Sequence, residues 1–320
     1  CQFIDNQSLT NGAKNFFNKT VTGTNDQCSQ NYTIRLSPGN VINFTVVVND
    51  TANNINQTTQ IITVARLIKI SNCTNLTNAS VTYELTNNAS NPATCMYVLA
   101  NNVTLDCKGF NINYSLSVFG YGVNNTGYNY STIRSCNIGQ GSTSAESYAV
   151  YIANSSNNNI VFNNTIRTRG LNARVLAIDL SSFNNSVYGN NVISTGLDGS
   201  LYVVGMSYNN KVYNNTVSTQ QGYGIFLQSY NSSVYSNVVS TNSPSTLEHG
   251  IYLTQGSYNN SVYNNTITIQ GLGHGISLIS STGLIVNNNF VYSNIIKHIS
   301  TGAGSYGIYL ASTYNNQVYD

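Results

Sequence analysis

The sequence predicts an all-β protein in which residues 66–320 form a right-handed parallel β-helix, a solenoid whose turns stack on one another. A motif recurs at intervals of 22 to 33 residues, which is the signature of a repeat architecture. Within each copy, apolar and polar residues alternate with period two, and β-branched and aromatic residues occupy the apolar positions. Because no apolar stripe with helical spacing occurs, a β-helix is favoured over leucine-rich repeats, which have a similar period.

The motif is clearest in four copies, which are SSFNNSVYGNNVIS from Ser181, MSYNNKVYNNTVS from Met206, QSYNSSVYSNVVS from Gln228 and GSYNNSVYNNTIT from Gly256. One marker, the aliphatic residue before the aromatic one, falls at Leu105, Ile133, Val161, Val187, Val212, Val234, Val262, Ile285 and Val318. A second marker falls at Val123, Val150, Ile178, Val203, Ile225, Ile251, Ile276 and Ile308. The two series interleave, so each turn should contain two or three short strands whose apolar faces are buried by stacking.

An Asn pair follows the aromatic residue in most copies. Its second member is invariant along the chain, and we predict that it points inward and bonds its amide to the copies above and below: Asn164, Asn190, Asn215, Asn237, Asn265 and Asn288. The first member varies and should point outward. Asn163, Asn214 and Asn264 are therefore the first choices for glycan attachment.

Residues 1–65 lack the repeat. The segment from Val41 to Val64 reads as strand, turn and strand, and it looks like the end of an immunoglobulin-like β-sandwich. We therefore predict two domains, an Ig-like domain over 1–65 and the β-helix over 66–320. We expect the β-helix to continue beyond residue 320, because the chain stops within a repeat.

Composition excludes some partners. Charged residues make up 7% of the chain and the formal net charge is +2, so the basic face of a nucleic-acid-binding protein is missing. The densest basic group is Arg167, Arg169 and Arg174. No apolar run approaches the roughly 20 residues of a transmembrane helix. No metal or cofactor motif is evident.

Two features indicate an oxidising, extracellular setting. The six cysteines are even in number and contain no C-x-x-C pair; we predict the disulfides Cys1–Cys28, Cys73–Cys95 and Cys107–Cys136, the first two from proximity in sequence and the third from neighbouring turns. The sequon N-x-Ser/Thr recurs throughout, although an Asn-rich and Ser/Thr-rich chain makes some by chance. Besides the three first choices, the predicted glycan sites are Asn259, Asn184, Asn231, Asn154, Asn129, Asn124, Asn113, Asn88, Asn78, Asn49, Asn43, Asn31 and Asn18.

The segment from Tyr83 to Asn113, and within it NVTLDC from Asn102 to Cys107, resembles the opening turns of NosD-like or CASH-type right-handed β-helix proteins, which are common on archaeal surfaces. The later GIYL and NNSVYNNT segments extend the resemblance to the end of the chain. The resemblance implies a β-helix and export from the cell, and it implies no single activity.

No complete catalytic group is evident in the sequence. Gly273-His274-Gly275 resembles a polygalacturonase motif, but residues 249–319 contain no carboxylate, so the paired acids of an inverting hydrolase are missing. His274 also occupies a slot that holds Tyr121, Tyr223, His249 and Tyr306 in other copies. The lyase alternative needs clustered acidic residues. The candidates in the β-helix are Asp106, Glu146, Asp179, Asp198 and Glu248. The best group is Asp179 with Asp198, near Arg167, Arg169 and Arg174, and a surface ion pair is the favoured interpretation of it.

Two outward aromatic columns are predicted, one with Tyr188, Tyr213, Tyr235 and Tyr263 and one with Phe183, Tyr208, Tyr230 and Tyr258. They could bind glycans or a second subunit, or simply stabilise the sheet. We predict a non-enzymatic, heavily N-glycosylated surface protein that assembles into a filament or layer by head-to-tail or lateral self-association. The alternatives are an adhesin or glycan-binding protein and, after these, a polysaccharide lyase or hydrolase.

Overall fold

The computed structural model describes residues 2–5, 15–18, 41–49, 52, 54–63, 66–143, 147–170, 173–196, 199–242, 248–280, 285–299 and 305–320. The chain divides into two compact units, Cys1–Leu67 and Ile68–Asp320.

The first unit contains a four-stranded antiparallel sheet of order β2-β1-β3-β4. Its strands are β1 (Gln2–Asp5), β2 (Asn15–Asn18), β3 (Val41–Asn49) and β4 (Ile55–Thr63). The strand, turn and strand predicted over 41–64 correspond to the pair β3 and β4, which are in register from Val41–Thr63 to Asn49–Ile55. Because residues 6–14 and 19–40 lie outside the described residues, the Ig-like assignment stays a prediction.

The second unit confirms the predicted parallel β-helix, since its described residues contain strands and no helix. Each turn passes through three parallel sheets in the order I, II, III. Sheet I has eleven strands: β5 (Arg66–Ile70), β7 (Val81–Leu85), β10 (Thr104–Asp106), β13 (Thr132–Arg134), β16 (Ile160–Phe162), β19 (Ser186–Tyr188), β22 (Lys211–Tyr213), β25 (Ser233–Tyr235), β28 (Ser261–Tyr263), β31 (Phe290–Tyr292) and β34 (Gln317–Tyr319).

Sheet II has nine strands: β8 (Ala89–Ser90), β11 (Asn111–Tyr114), β14 (Asn137–Gln140), β17 (Thr165–Thr168), β20 (Asn191–Ser194), β23 (Thr216–Thr219), β26 (Val238–Thr241), β29 (Thr266–Ile269) and β32 (Ile295–His298). Sheet III has ten strands: β6 (Thr74–Leu76), β9 (Met96–Val98), β12 (Tyr121–Thr126), β15 (Tyr148–Ala153), β18 (Arg174–Ile178), β21 (Leu201–Tyr208), β24 (Ile225–Tyr230), β27 (Ile251–Leu253), β30 (Ile276–Ile279) and β33 (Ile308–Ala311). The nine strands of sheet II correspond to about nine turns, against about ten expected.

The core is a set of aliphatic columns inside the three sheets. In sheet I, Val161, Val187, Val212 and Val234 pair in direct register and are at most 1% exposed. Each buried aliphatic side chain stabilises the stack by about 1.5–3 kcal/mol. The turns therefore depend on one another for their burial.

Two of the predicted marker series need correction. Val291, and not Ile285, is the sheet I residue after Val262, and Ile285 is 52% exposed. In sheet III, Leu176 and Leu201 align with Val150 and Ile225; the predicted markers Ile178 and Val203 lie two positions later, where they also point inward. An error of two residues keeps the same face of a strand, which is why the sequence did not reveal it.

The corner between sheets I and II is a two-residue turn closed by a buried Asn ladder. The side-chain oxygen of Asn215 accepts hydrogen bonds from the backbone N–H and the side-chain amide of Asn190, at 3.1 and 3.0 Å. The ladder comprises Asn164, Asn190, Asn215, Asn237, Asn265 and Asn294. Predicting Asn288 as its last member was wrong: Asn288 is exposed and lies at another corner, where its φ is 52°.

A second ladder, which the sequence reading missed, closes the corner between sheets III and I. The side-chain amide of Asn185 donates to Asn210 Oδ1 at 3.2 Å and to the Ser156 carbonyl at 3.0 Å. Its members are Asn159, Asn185, Asn210, Ser232, Asn260, Asn289 and Asn316. The repeated Asn-Asn pair before the sheet I valine was the available signal.

Two disulfides cross-link the first turns of the β-helix. Cys73 is bonded to Cys95, with Cα atoms 4.6 Å apart, and Cys107 to Cys136, with Cα atoms 4.7 Å apart. Cys136 occupies the corner slot that Asn164 takes one turn later, and its N–H donates to Asn164 Oδ1 at 2.9 Å. Cys1 and Cys28 lie outside the described residues, so their bridge stays a prediction.

The corners on either side of sheet III vary in length. Between sheets II and III, consecutive strands are separated by five residues at 169–173 and 220–224 but by nine at 242–250 and 299–307. Between sheets III and I they are separated by two residues at 209–210 but by ten at 280–289. From residue 160 on, the corner between sheets I and II keeps two residues, so the variation in length falls on both edges of sheet III.

Candidate ligand-binding face

The outer face of sheet III carries two columns of large side chains beside the variable loops. The middle column runs through Tyr97, Asn124, Tyr151, Ala177, Tyr202, Phe226, Tyr252, Ser277 and Tyr309, which are paired in register. The edge column lies three residues earlier along the chain in each turn, at or just before the start of the strand, and contains Tyr121, Tyr148, Arg174, Gly199, Tyr223, His249, His274 and Tyr306. We call these two columns the aromatic face.

A small residue between the columns sets this geometry. A Cβ on Gly250 would lie 2.4 Å from Ile267 Cγ2, and one on Gly275 would lie 2.4 Å from Ile296 Cγ2, both inside the core. The position after the edge column therefore points inward. The residue that follows it, directly before the middle column, also points inward. Two consecutive inward residues therefore separate the columns, so the edge column and the middle column both face outward.

Ring orientation distinguishes the aromatic face from the outer aromatic column of sheet I. On sheet I, Phe162, Tyr188, Tyr213, Tyr235, Tyr263, Tyr292 and Tyr319 stack at 4.9–5.1 Å with planes 1–13° apart. Each ring covers its neighbours' faces and presents an edge to solvent. On the aromatic face the angles vary: His249 and His274 are stacked at 6° and Tyr202 and Phe226 at 26°. Tyr223 and Phe226 meet at 52° and Phe226 and Tyr252 at 81°, so ring faces are not all covered by neighbours.

Arg174 places a cation among these rings. Its guanidinium carbon lies 4.6 Å from the ring centroid of Tyr202 and 5.7 Å from that of Tyr148. Ala177, beside it in the middle column, leaves the room that the guanidinium uses. Nearby, the Tyr151 hydroxyl donates to Asp179 Oδ2 at 3.4 Å. Burial and the charge of Asp179 raise the pKa of Tyr151, so this hydroxyl stays protonated.

His249 and His274 form the polar centre of the edge column. Both are buried, at 4% and 6% exposure. Burial and the neighbouring His274 lower the pKa of His249 to about 3, and burial with the neighbouring His298 lowers that of His274. Both imidazoles are therefore neutral near pH 7 and can act as hydrogen-bond donors or acceptors. The structure thus places His274 in the slot predicted for it, between His249 and Tyr306 along the column.

The predicted acidic candidates do not converge on this face. Asp106 lies 2.9 Å from an Arg134 Nη2 and 3.3 Å from Lys108 Nζ, which also pairs with Glu84 at 3.6 Å. Burial would raise the pKa of Asp106, but the hydrogen bonds from Lys108 and the two cations lower it overall. Glu248, which directly precedes His249 of the edge column, is buried. Glu146 and Asp198 lie outside the described residues. Among the described residues, no group of His, Cys, Asp or Glu is arranged to hold a metal ion.

The sequon asparagines occupy three kinds of position. Those at the edges of sheet I are exposed: Asn154, Asn163, Asn184, Asn214, Asn231, Asn259 and Asn264. In the first turns, Asn88 is exposed, whereas Asn78, Asn113, Asn124 and Asn129 are partly buried. In the first unit, Asn43 and Asn49 are exposed on β3, the side chain of Asn18 is not described and Asn31 lies outside the described residues. Attachment of glycans at these sites stays a prediction.

Comparison with known proteins now places the chain. The sequence model described as "Right handed beta helix region" matches residues 118–291, which is more than half of the chain. The protein belongs to the right-handed β-helix family. The narrower resemblance to NosD-like proteins stays a prediction, and no curated protein sequence matches this β-helix.

Solved structures agree with the fold. This β-helix is similar to the surface protein and adhesin PfbA of Streptococcus pneumoniae, with 13% identity, a TM-score of 0.50 and coverage of 80% of this chain and 87% of that one. It is also similar to DFA-IIIase of Arthrobacter chlorophenolicus A6, with 11% identity, a TM-score of 0.49 and coverage of 79% and 82%. A third is the alginate lyase of Paenibacillus sp. str. FPU-7, with 12% identity, a TM-score of 0.39 and coverage of 80% and 99%. At these identities the likeness concerns the fold alone.

One expectation is corrected by these comparisons. We predicted that the chain is not an enzyme because no complete catalytic group was evident in its sequence. Two of the three structures named above are enzymes on the same scaffold, so that prediction does not stand.

The setting of the protein is consistent with the outside of a cell. The two disulfides of the first turns are typical of an oxidising compartment. Within the described residues, no helix has the length and hydropathy needed to cross a membrane.

Proposed function

We propose that this β-helix is an exported surface protein that binds an extended carbohydrate chain along the aromatic face of sheet III. The observation that carries the proposal is the tilted arrangement of three neighbouring rings in that face, at 52° for Tyr223 with Phe226 and 81° for Phe226 with Tyr252. Tilted rings can offer faces to a ligand, whereas the stacked rings of sheet I offer edges.

The chemistry of the face suits a sugar. A pyranose ring has patches of C–H groups that pack on aromatic rings and a rim of hydroxyls that needs hydrogen-bond partners. Tyr252 and Tyr309 provide rings with polar hydroxyls, and His249 and His274 provide neutral imidazoles among them. Arg174 adds one cation, which would suit an acidic sugar at that end of the face.

The dimensions favour a polymer over a single sugar. Successive strands of a sheet lie about 4.8 Å apart, so the eight edge-column positions from Tyr121 to Tyr306 span about 34 Å. We therefore expect several contiguous sugars to contribute to affinity.

A matched pair of variants tests the proposal. Tyr252 and Tyr263 lie in the same turn and are both partly buried, but Tyr252 is on the aromatic face and Tyr263 is in the stacked column of sheet I. The whole chain is titrated with a panel of neutral and acidic polysaccharides by calorimetry. Tyr252→Ala should weaken binding at least about tenfold, and Tyr263→Ala should leave it within about twofold. Absence of binding across the panel, or equal losses in both variants, would reject the proposal.

The filament or surface-layer subunit predicted from the sequence is a second candidate, supported by the flat column of seven stacked rings on sheet I. A row of ring edges and hydroxyls could pack laterally against a second copy. Light scattering over a range of concentrations tests it. If the chain self-associates, Tyr235→Ala should lower the mass of the assembly and Tyr252→Ala should leave that mass unchanged. A monomer at all concentrations would rule this candidate out.

A further inference from the structure

The sequons of the second half of the chain are confined to one side of the β-helix. Residues 141–320 contain seven of them, and the structure places all seven at the two corners that flank sheet I, with Asn154 directly after strand β15 of sheet III. Asn163, Asn214 and Asn264 lie at the corner between sheets I and II. Asn154, Asn184, Asn231 and Asn259 lie at the corner between sheets III and I. No sequon of this half falls in the strands of sheet III or in the loops between sheets II and III, which lead into the aromatic face.

The seven asparagines share one local conformation. Their φ angles are all positive and lie between 51° and 56°, the left-handed region that Asn tolerates better than most residues. Each side chain is exposed, and none of the seven side-chain amides is hydrogen-bonded to another described residue. In six of these sequons the next residue is a buried member of a ladder: Asn164, Asn185, Asn215, Ser232, Asn260 and Asn265. At each of these corners, one residue points inward and is used in the ladder, while the side-chain amide of the Asn before it stays available for glycan attachment.

Sequons in the earlier turns differ in this respect. Asn129 Oδ1 accepts the backbone N–H of Asn157 at 2.6 Å, and Asn124 Oδ1 accepts the hydroxyl of Thr126 at 2.6 Å. The side-chain amide of Asn113 donates to Ser90 Oγ at 3.3 Å. These three side chains are only partly exposed and already take part in bonds between or within turns. They are weaker acceptors than the seven.

We propose that the seven exposed asparagines carry N-linked glycans, so that sugar lines both edges of sheet I and leaves the aromatic face bare. The donor is an oligosaccharide linked through pyrophosphate to a lipid. The side-chain nitrogen Nδ2 forms a bond to C1 of the first sugar and loses one proton, while the bond from C1 to the pyrophosphate oxygen breaks and the lipid pyrophosphate leaves. No group is oxidised or reduced.

Spacing along the corner between sheets I and II supports this assignment. The outward position of successive turns holds Asn163, Gly189, Asn214, Ser236 and Asn264, so sequons occur in alternate turns. Alternate turns are about 10 Å apart, twice the strand spacing, which gives each glycan an unoccupied turn on either side. At the other corner, Asn231 and Asn259 are in adjacent turns, so this spacing applies to the first corner only.

The test uses the protein purified from the cells that make it. Its intact mass is measured, N-glycans are released with an amidase that converts each glycosylated Asn to Asp, and the peptides are mapped. We expect a mass above the 34.7 kDa of the bare chain and conversion at most of the seven asparagines, with less at Asn113, Asn124 and Asn129. A mass equal to that of the bare chain, or conversion mainly at those three, would overturn the proposal.

A pair of variants makes the assignment specific. Thr216→Ala destroys the sequon of Asn214, whereas Ser218→Ala changes an exposed residue of the same strand that belongs to no sequon. Thr216→Ala should lower the mass by one glycan and Ser218→Ala by none. An unchanged glycan mass in Thr216→Ala would remove Asn214 from the set. The proposal does not depend on carbohydrate binding by the aromatic face.

Discussion

His249 Nδ1 accepts a hydrogen bond from the backbone N–H of His274, one turn further along the helix, at 3.1 Å. The two imidazoles stack at 4.9 Å between centroids, with planes 6° apart. His274 Nδ1 accepts the N–H of Tyr306 in the same way, at 3.1 Å. Because Nδ1 is the acceptor, each neutral ring carries its proton on Nε2. Protonation would add a proton to Nδ1, the atom that accepts the hydrogen bond from the backbone N–H of the next turn.

The first prediction is that low pH weakens this part of the helix. The pKa of His249 is lowered from 6.5 to about 3, so the unfolded chain takes up the proton first. Stability from the neutral ring is complete above about pH 6.5 and falls by up to about 1.4 kcal/mol per unit as the pH drops toward 3. Urea unfolding should therefore show a loss of about 2 kcal/mol between pH 6.5 and 5. His249→Asn keeps an acceptor and does not titrate; identical pH slopes in it and the parent chain would contradict the prediction.

The second prediction concerns the Asn ladder at the corner between sheets I and II. Asn215 donates to the carbonyls of Val187 and Tyr213 and to Asn237, and it accepts two bonds from Asn190. Asn215→Ala leaves these buried groups without partners and should lower the free energy of unfolding by about 3 kcal/mol or more. The control is Asn214→Gly, which keeps the left-handed conformation at the exposed neighbour and should change stability by less than about 0.5 kcal/mol. Similar losses in both would show that the ladder contributes little.

The third prediction tests the inward slot behind the aromatic face. Gly250→Ala places a methyl group 2.4 Å from Ile267 Cγ2 and 2.7 Å from the Gly275 carbonyl oxygen. Overpacking of this kind should destabilise the chain by about 1–3 kcal/mol. Gly139→Ala is the control, because its Cβ would meet only Asn113 Oδ1 at 3.6 Å, and it should be neutral or slightly stabilising. Thermal unfolding of the two variants decides; a neutral Gly250→Ala would mean that the two sheets separate easily at this corner.

The fourth prediction exploits the position of Cys136 in the ladder slot. Cys107→Ala with Cys136→Ala removes a disulfide spanning 29 residues of sequence and should lower stability by about 3 kcal/mol. Cys107→Ala with Cys136→Asn should recover about 1 kcal/mol, because the new amide can donate to Asn164 Oδ1. Denaturant unfolding of the two double variants measures the difference. A less stable Asn variant would show that the slot beside Leu105 cannot hold an amide.

The repeat explains both the successes and the errors of the sequence reading. From Val161 to Val262, each turn has a two-residue corner after sheet I, so a fixed motif identified the inward valine correctly. Near residue 287 the run Asn287-Asn288-Asn289 imitates the corner pair, and Ile285 imitates the marker. In the structure Asn289 is the buried member and Val291 the core residue. Three identical residues in a row contain no information about which of them points inward.

The sequence by itself determined that this protein is a parallel β-helix, because alternation within a strand and recurrence between turns are both local patterns. It also identified five of the six members of the ladder from Asn164 and the pairing of Cys107 with Cys136. Only the tertiary structure decided that Tyr148 and Arg174 share one column with Tyr121, His249 and His274. The loops before that column vary from five to nine residues, so spacing along the chain does not preserve the alignment. Hydrogen bonding between stacked strands does preserve it, and that register is what assembles the aromatic face.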